Sequence, residues 1–227
     1  FNWDEKKVSV VVPNEFVAEY VDRDPKKFIG FCSVDPNQPD AISELKKCIQ
    51  DLHMKGLKLS PIYQNFDPNS EKAFKVFEAA QEMGIPVIIH QATTFLRRAP
   101  LKIAYPSLID DVAATFKDLK IILAHLGHPW EDEAIAVIRK HPNVDADISA
   151  LTPRPFRLYQ QLMNCIEYRI TDKLLFGSDF PFTKPDQAIK DLLNLNNIVK
   201  GTNLPKIPRD VLKNIIYENL VKLFGQL

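Results

Sequence analysis

Five residues able to ligate a metal or move a proton stand at or near the ends of short apolar runs: Lys58, His90, His125, Asp147 and Asp179. A neutral imidazole closing such a run is suited to hold a divalent metal or to act as a base. A carboxylate in the same setting is costly unless it meets a metal, a cation or a proton partner. One polar residue ending one buried strand says little. Five in series converge on a single cavity if all the strands open onto one face.

Each residue also has a bland reading. His90, after Pro86-Val-Ile-Ile, could be a core histidine bonded to a carbonyl, and its companions make the metal-ligand reading stronger. His125 closes its run and is expected to face the cavity as base or stabiliser. His128, beyond Gly127, is equally suited to touching substrate or capping a helix. Trp130 reads as packing. Asp179 stands in Leu175-Phe-Gly-Ser-Asp-Phe-Pro, where Gly177 permits close backbone approach. Lys58 is a substrate-carboxylate anchor, a carboxylated bridging ligand or a rim residue that keeps its head in water, the last slightly favoured. Asp147 is divided evenly between supporting a histidine and standing in an ordinary loop. His53 and His141 read as surface groups at helix ends.

The elements that would position these residues alternate regularly. Strands are expected at 28–34, 56–61, 85–90, 119–125, 144–149 and 173–178, with helices at 41–53, 70–83, 106–116, 131–140, 155–168, 185–195 and 208–224. Continuous apolar strands alternating with helices imply a parallel sheet with right-handed crossovers. A doubly wound sheet and a barrel both fit. No GxGxxG or GxxxxGK[ST] follows a strand, which weakens the nucleotide-binding versions of the open sheet.

The 227 residues are 45% hydrophobic and 26% charged, the balance of a globular domain, and no composition break divides them, so residues 1–227 read as one domain. The formal net charge is zero. That leaves no basic surplus for nucleic acid or an anionic membrane. Cys32, Cys48 and Cys165 are odd in number and show no metal spacing, which favours a reducing, cytoplasmic setting. No run approaches a membrane span, and the start lacks signal-peptide character.

The ordered set Asn14-Glu-Phe-Val-Ala-Glu-Tyr, Phe28-Ile-Gly-Phe with Val34-Asp-Pro, Gly56-Leu-Lys-Leu, Pro86-Val-Ile-Ile-His90, Leu123-Ala-His-Leu-Gly, Leu175-Phe-Gly-Ser-Asp-Phe-Pro and Tyr217-Glu-Asn-Leu-Val-Lys-Leu-Phe resembles the amidohydrolase-related family. That family includes aminocarboxymuconate semialdehyde decarboxylase, resorcylate decarboxylases and lactone hydrolases. The resemblance implies a (β/α)₈ TIM barrel with a divalent metal, zinc or else manganese. It makes His90 and Asp179 metal ligands, and His125 and Asp179 catalytic. Lys58, His128, Arg154 and Arg157 become substrate contacts. Arg97 and Arg98 are weaker carboxylate-binding candidates than Arg154 and Arg157, which follow the strand ending at Ser149.

The family's barrel opens with a strand carrying an HxH pair, and this sequence has none. The first one or two strands are therefore expected to be lacking. The chain is a piece without its front (the favoured reading), a shortened protein without metal, or one completed by another chain. The implied function is metal-dependent hydrolysis of an amide, ester or lactone of a small organic acid. The alternatives are metal-dependent decarboxylation of an aromatic or muconate-type acid, and a metal-free, non-catalytic barrel. The expected partner is a small carboxylic acid, with homodimer formation left open.

Overall fold

The computed structural model describes residues 2–4, 8–9 and 11–225. Strands β1 (Asn2–Asp4) and β2 (Val8–Ser9) pair antiparallel. The remaining strands are β3 (Phe31–Cys32), β4 (Gly56–Leu59), β5 (Val87–Ile89), β6 (Ile121–Leu123), β7 (Val144–Asp147) and β8 (Leu174–Leu175). They form one six-stranded parallel sheet in strictly sequential order. A doubly wound sheet reverses its strand order at a switch point. Here there is none, so the arrangement is that of a TIM barrel. Six of the eight strands of such a barrel are present among the described residues, and β3 and β8 each have one neighbour.

The period of two along each strand sorts side chains between the layers. Leu57, Leu59, Val87, Ile89, Ile121, Leu123, Val144 and Ala146 face outward into a continuous apolar core. That core is completed by helices α2 (Ala41–Gln50), α4 (Glu71–Glu82), α5 (Ile109–Thr115), α6 (Glu131–Lys140) and α7 (Pro155–Glu167). Leu45 and Cys48 on α2, and Ala73, Val76, Phe77 and Ala80 on α4, recur at helical spacing and are buried. The other face carries Lys58, Ile88, Ile122 and Asp145, in register across β4 to β7. That row forms the barrel interior.

Several boundaries differ from the sequence reading. The strands hold two to four residues each. Helix α1 (Asn14–Val21) is additional to the expected elements. Asn14 anchors it by donating to the Ser33 carbonyl and the Glu44 carboxylate, and accepting from the Ser33 amide. A four-residue helix, α3 (Pro61–Gln64), follows β4. Beyond α8 (Pro185–Leu193), the closing segment is α9 (Arg209–Lys213), a π turn at Asn214–Glu218 and α10 (Asn219–Phe224). His53 is exposed, but His141 is buried and its Nε2 lies 2.7 Å from Asp110 Oδ1, so it is no surface group. All three cysteines are free and buried. No helix among the described residues is long and apolar enough to cross a membrane.

Candidate active site at the strand ends

Lys58 lies within β4, one residue before its end, and points into the barrel interior. His90 follows β5 directly, Asp147 is the last residue of β7, and Asp179 lies four residues past β8. His125 does not close β6, which ends at Leu123; it occupies a turn just beyond. Its φ is 59° and that of Leu126 is 47°, while Ala150 and Asp179 adopt 60° and 57°. Each such left-handed residue other than glycine costs about 1–3 kcal/mol and persists where surrounding contacts over-determine it. All four lie just past the ends of β6, β7 and β8. The Phe180–Pro181 and His128–Pro129 peptide bonds beside them are cis.

The turn aims His125 at its neighbours. Its Nε2 lies 3.2 Å from His90 Nδ1, and its Nδ1 lies 2.7 Å from Ser149 Oγ. Ser149 donates in turn to Asp147 Oδ1, which also accepts the His125 amide at 3.0 Å and the Ser149 amide at 2.9 Å. His90 Nε2 lies 3.2 Å from the Thr93 carbonyl oxygen, and the Tyr63 ring packs on the His90 imidazole at 5.0 Å. Burial, then the neighbouring His125 and Lys58, push His90 down to about 3 despite the Thr93 carbonyl. It is therefore neutral at ordinary pH.

Beneath these groups is a cavity of about 350 Å³. Its walls are mostly apolar, with Phe31, Ile88, Ile122 and Leu175, while Lys55, Asp147, Ser149 and Asp179 supply polar atoms. Burial pushes the Lys58 ammonium below its ordinary value, against the pull of the Asp147 and Asp179 carboxylates. Lys58 makes no ion pair among the described residues. A half-buried cation on the barrel's inner face, close to two carboxylates but in no ion pair, is suited to hold an anionic group.

The substrate contacts expected at the β6 and β7 loops are engaged elsewhere. Arg157 donates to both oxygens of Glu131 and, at 2.7 Å, to the Pro129 carbonyl. His128 Nδ1 lies 2.6 Å from Glu131 Oε1. Burial pushes the Glu131 carboxyl up, but the bonds from Arg157 and His128 outweigh it and leave it below its ordinary value. Arg154 is exposed and donates to the Ala150 carbonyl, while Arg97 and Arg98 are on the exposed loop after β5. Trp130 packs with Ile62, Leu96, Ala99 and Ala104, and its ring meets Tyr105 at a tilt, 4.6 Å between centroids. Sequence reasoning missed Ser149, Glu131 and Tyr63. Ser149 had a signal, since it lies two residues past Asp147 and shares its face. Glu131, three residues after His128 in the first turn of α6, had a weaker one.

A catalytic zinc site uses about three protein ligands and keeps a position open. No three His, Cys, Asp or Glu among the described residues are grouped to hold a metal ion. His90 turns one ring nitrogen to His125 and the other to Thr93. The described residues alone do not fit a divalent centre.

The chain is 32% identical over 79 residues to 2-amino-3-carboxymuconate-6-semialdehyde decarboxylase of Dictyostelium discoideum, covering 34% of this chain and 22% of that protein. It is 24% identical over 221 residues to gamma-resorcylate decarboxylase of Polaromonas sp. strain JS666, covering 77% of this chain and 66% of that protein. The chain thus spans less than two thirds of these relatives. Among solved structures, a dihydroxybenzoic acid decarboxylase from Polaromonas sp. JS666, with bound manganese and the inhibitor 2-nitroresorcinol, superposes with a TM-score of 0.68 at 20% identity, covering 93% of this chain and 73% of that one. The family described as amidohydrolase matches residues 7–226. With nearly its whole length matched, the chain belongs to the amidohydrolase family.

Proposed function

We propose that the strand-end site belongs to an enzyme that decarboxylates a small, planar carboxylic acid of aromatic or muconate type. The observation that carries this is the grouping of Lys58, His90, His125, Asp147 and Asp179 at the strand ends, where Asp147 and Asp179 line a mostly apolar cavity. The decarboxylases among the relatives support it.

Loss of carbon dioxide breaks the bond between the carboxyl carbon and the substrate, leaves an electron pair on the substrate carbon, and requires one proton there. The chain's residues divide that work by chemistry. Lys58 pairs with substrate anion and orients it. The apolar walls keep the departing carboxylate poorly solvated. His125 and Asp179, at the rim, hold and move the proton. His128 and Arg157 contribute by shaping the rim through Glu131, and Arg154 is the arginine still open to a substrate carboxylate.

The manganese bound to the Polaromonas enzyme supports a divalent ion for the whole protein, with His90 and Asp179 the described residues nearest to that role. Two ligands fall short of a centre. Hydrolysis of an ester or lactone is the second reading, favoured by the family match and by the His125–Ser149–Asp147 chain, which holds the imidazole in place.

The test is carbon dioxide release and ester or lactone cleavage across a panel of aromatic acids, muconate-type acids and lactones, with wild type and His125→Ala. Carbon dioxide release falling about 10²–10⁴-fold in the variant is expected. Cleavage of lactones without carbon dioxide release would select the second reading. Absence of both activities would leave the non-catalytic barrel.

A further inference from the structure

We propose that Phe31 is a specificity-determining residue, the wall against which the body of a single-ring aromatic acid packs, and that Gly56 positions its ring. The inference deepens the decarboxylase reading by naming its substrate class, and it rests on that reading for where the carboxylate goes.

Strand register sets the two residues side by side. Phe31 pairs with Gly56, and Cys32 with Leu57. Cys32 and Leu57 are buried in the outer core, so by the period of two Phe31 and Gly56 face the barrel interior. Lys58 shares that face, two residues further along β4. A Cβ built on Gly56 would fall on Phe31 Cε1, with Cζ at 2.6 Å and Cδ1 at 2.7 Å. The Phe31 ring thus occupies the volume that any other residue at position 56 would fill. Gly56 is not among the glycines with positive φ, so what it supplies here is space and not backbone freedom.

The ring also borders the cavity. Phe31, Ile88 and Ile122 line the same space of about 350 Å³. Ile88 and Ile122 are in register with Lys58, whereas Phe31 is in register with Gly56, one inward position deeper. An acid whose carboxylate meets Lys58 therefore lays its body among the two isoleucines and the Phe31 ring. An aromatic body gains most there, because it meets Phe31 ring to ring where an aliphatic one gains burial alone. The β4 backbone blocks the ring's retreat, so a side chain at position 56 would drive it into the cavity.

The experiment is calorimetric titration of gamma-resorcylate, and of the same acid with a tert-butyl group opposite the carboxyl. Both are titrated into wild type, Phe31→Ala, Gly56→Ala and the double variant, each checked by circular dichroism. Phe31→Ala is expected to weaken gamma-resorcylate about 10-fold and to move the affinity ratio about 10-fold toward the tert-butyl acid. Gly56→Ala should weaken both acids about 10-fold, and that cost should vanish in the double variant, where no ring is left to displace. A ratio unmoved by Phe31→Ala would overturn the proposal, as would a Gly56→Ala cost of full size in the double variant. Should Gly56→Ala not fold, Phe31→Trp takes its place: it must move the ratio against the tert-butyl acid, and movement the other way would overturn the proposal. No binding of either acid by wild type counts against it whatever the turnover. A moved ratio in a chain that releases no carbon dioxide would uphold the Phe31 wall and refute the decarboxylase. Carbon dioxide release with the ratio unmoved would do the reverse.

Discussion

Glu131 shows how one buried residue decides what its neighbours can do. Its side chain is wholly inaccessible and meets His128 and Arg157 directly. Removing one member of such a cluster strands the others, and Glu131→Ala is expected to destabilise the fold by roughly 2–4 kcal/mol. Urea denaturation measures this, and a change below about 0.5 kcal/mol would show the cluster to be ordinary surface pairing. Lys58, His90, His125, Asp147 and Asp179 were legible in the sequence because each interrupts or closes an apolar run, where a polar side chain needs a reason. The engagement of His128 and Arg157 was not legible. His128 meets Glu131 three residues on, a faint local signal, but the Arg157 contact depends on α6 and α7 packing side by side, 26 residues apart in sequence, and no local pattern encodes that.

Among the elements, β7 holds an acid on the barrel's inner face. Asp145 lies in register with Ile122, and burial pushes its carboxyl from the ordinary 3.8 up to about 6, against Lys173 and with Asp172 adding to the rise. The folded chain therefore holds this proton more tightly than the unfolded chain. Its contribution to stability is greatest below pH ~4 and falls as pH rises to about 6, staying low above that. Asp145→Asn is expected to remove that slope and to stabilise the protein at pH 7.5 by about 1–3 kcal/mol. Urea midpoints at pH 5 and 7.5 check it; a variant less stable than wild type at pH 7.5 would contradict the argument. The alternation of strands and helices was readable from apolar periodicity. The left-handed turns at His125, Leu126, Ala150 and Asp179 were not, since Leu126 and Ala150 carry no turn preference, His125 and Asp179 tolerate the conformation without demanding it, and tertiary contacts impose it.

For the whole molecule, a parallel sheet covered by helices follows from continuous apolar strands alternating with helices, whereas the sequential strand order that separates a barrel from a doubly wound sheet is seen only in the fold. The inner face is different. Its row of Lys58, Ile88, Ile122 and Asp145 becomes a site only once the sheet curls and brings Asp179, beyond β8, toward Lys58 on β4. The central claim is that this interior receives a small organic anion and that Lys58 holds it. Calorimetric titration of gamma-resorcylate into wild type and Lys58→Met tests it directly. Saturable binding by wild type, weakened about 10–100-fold in the variant as expected for loss of a charge-assisted contact, is the predicted result. Equal affinity in the two proteins, or no binding by wild type, would contradict it.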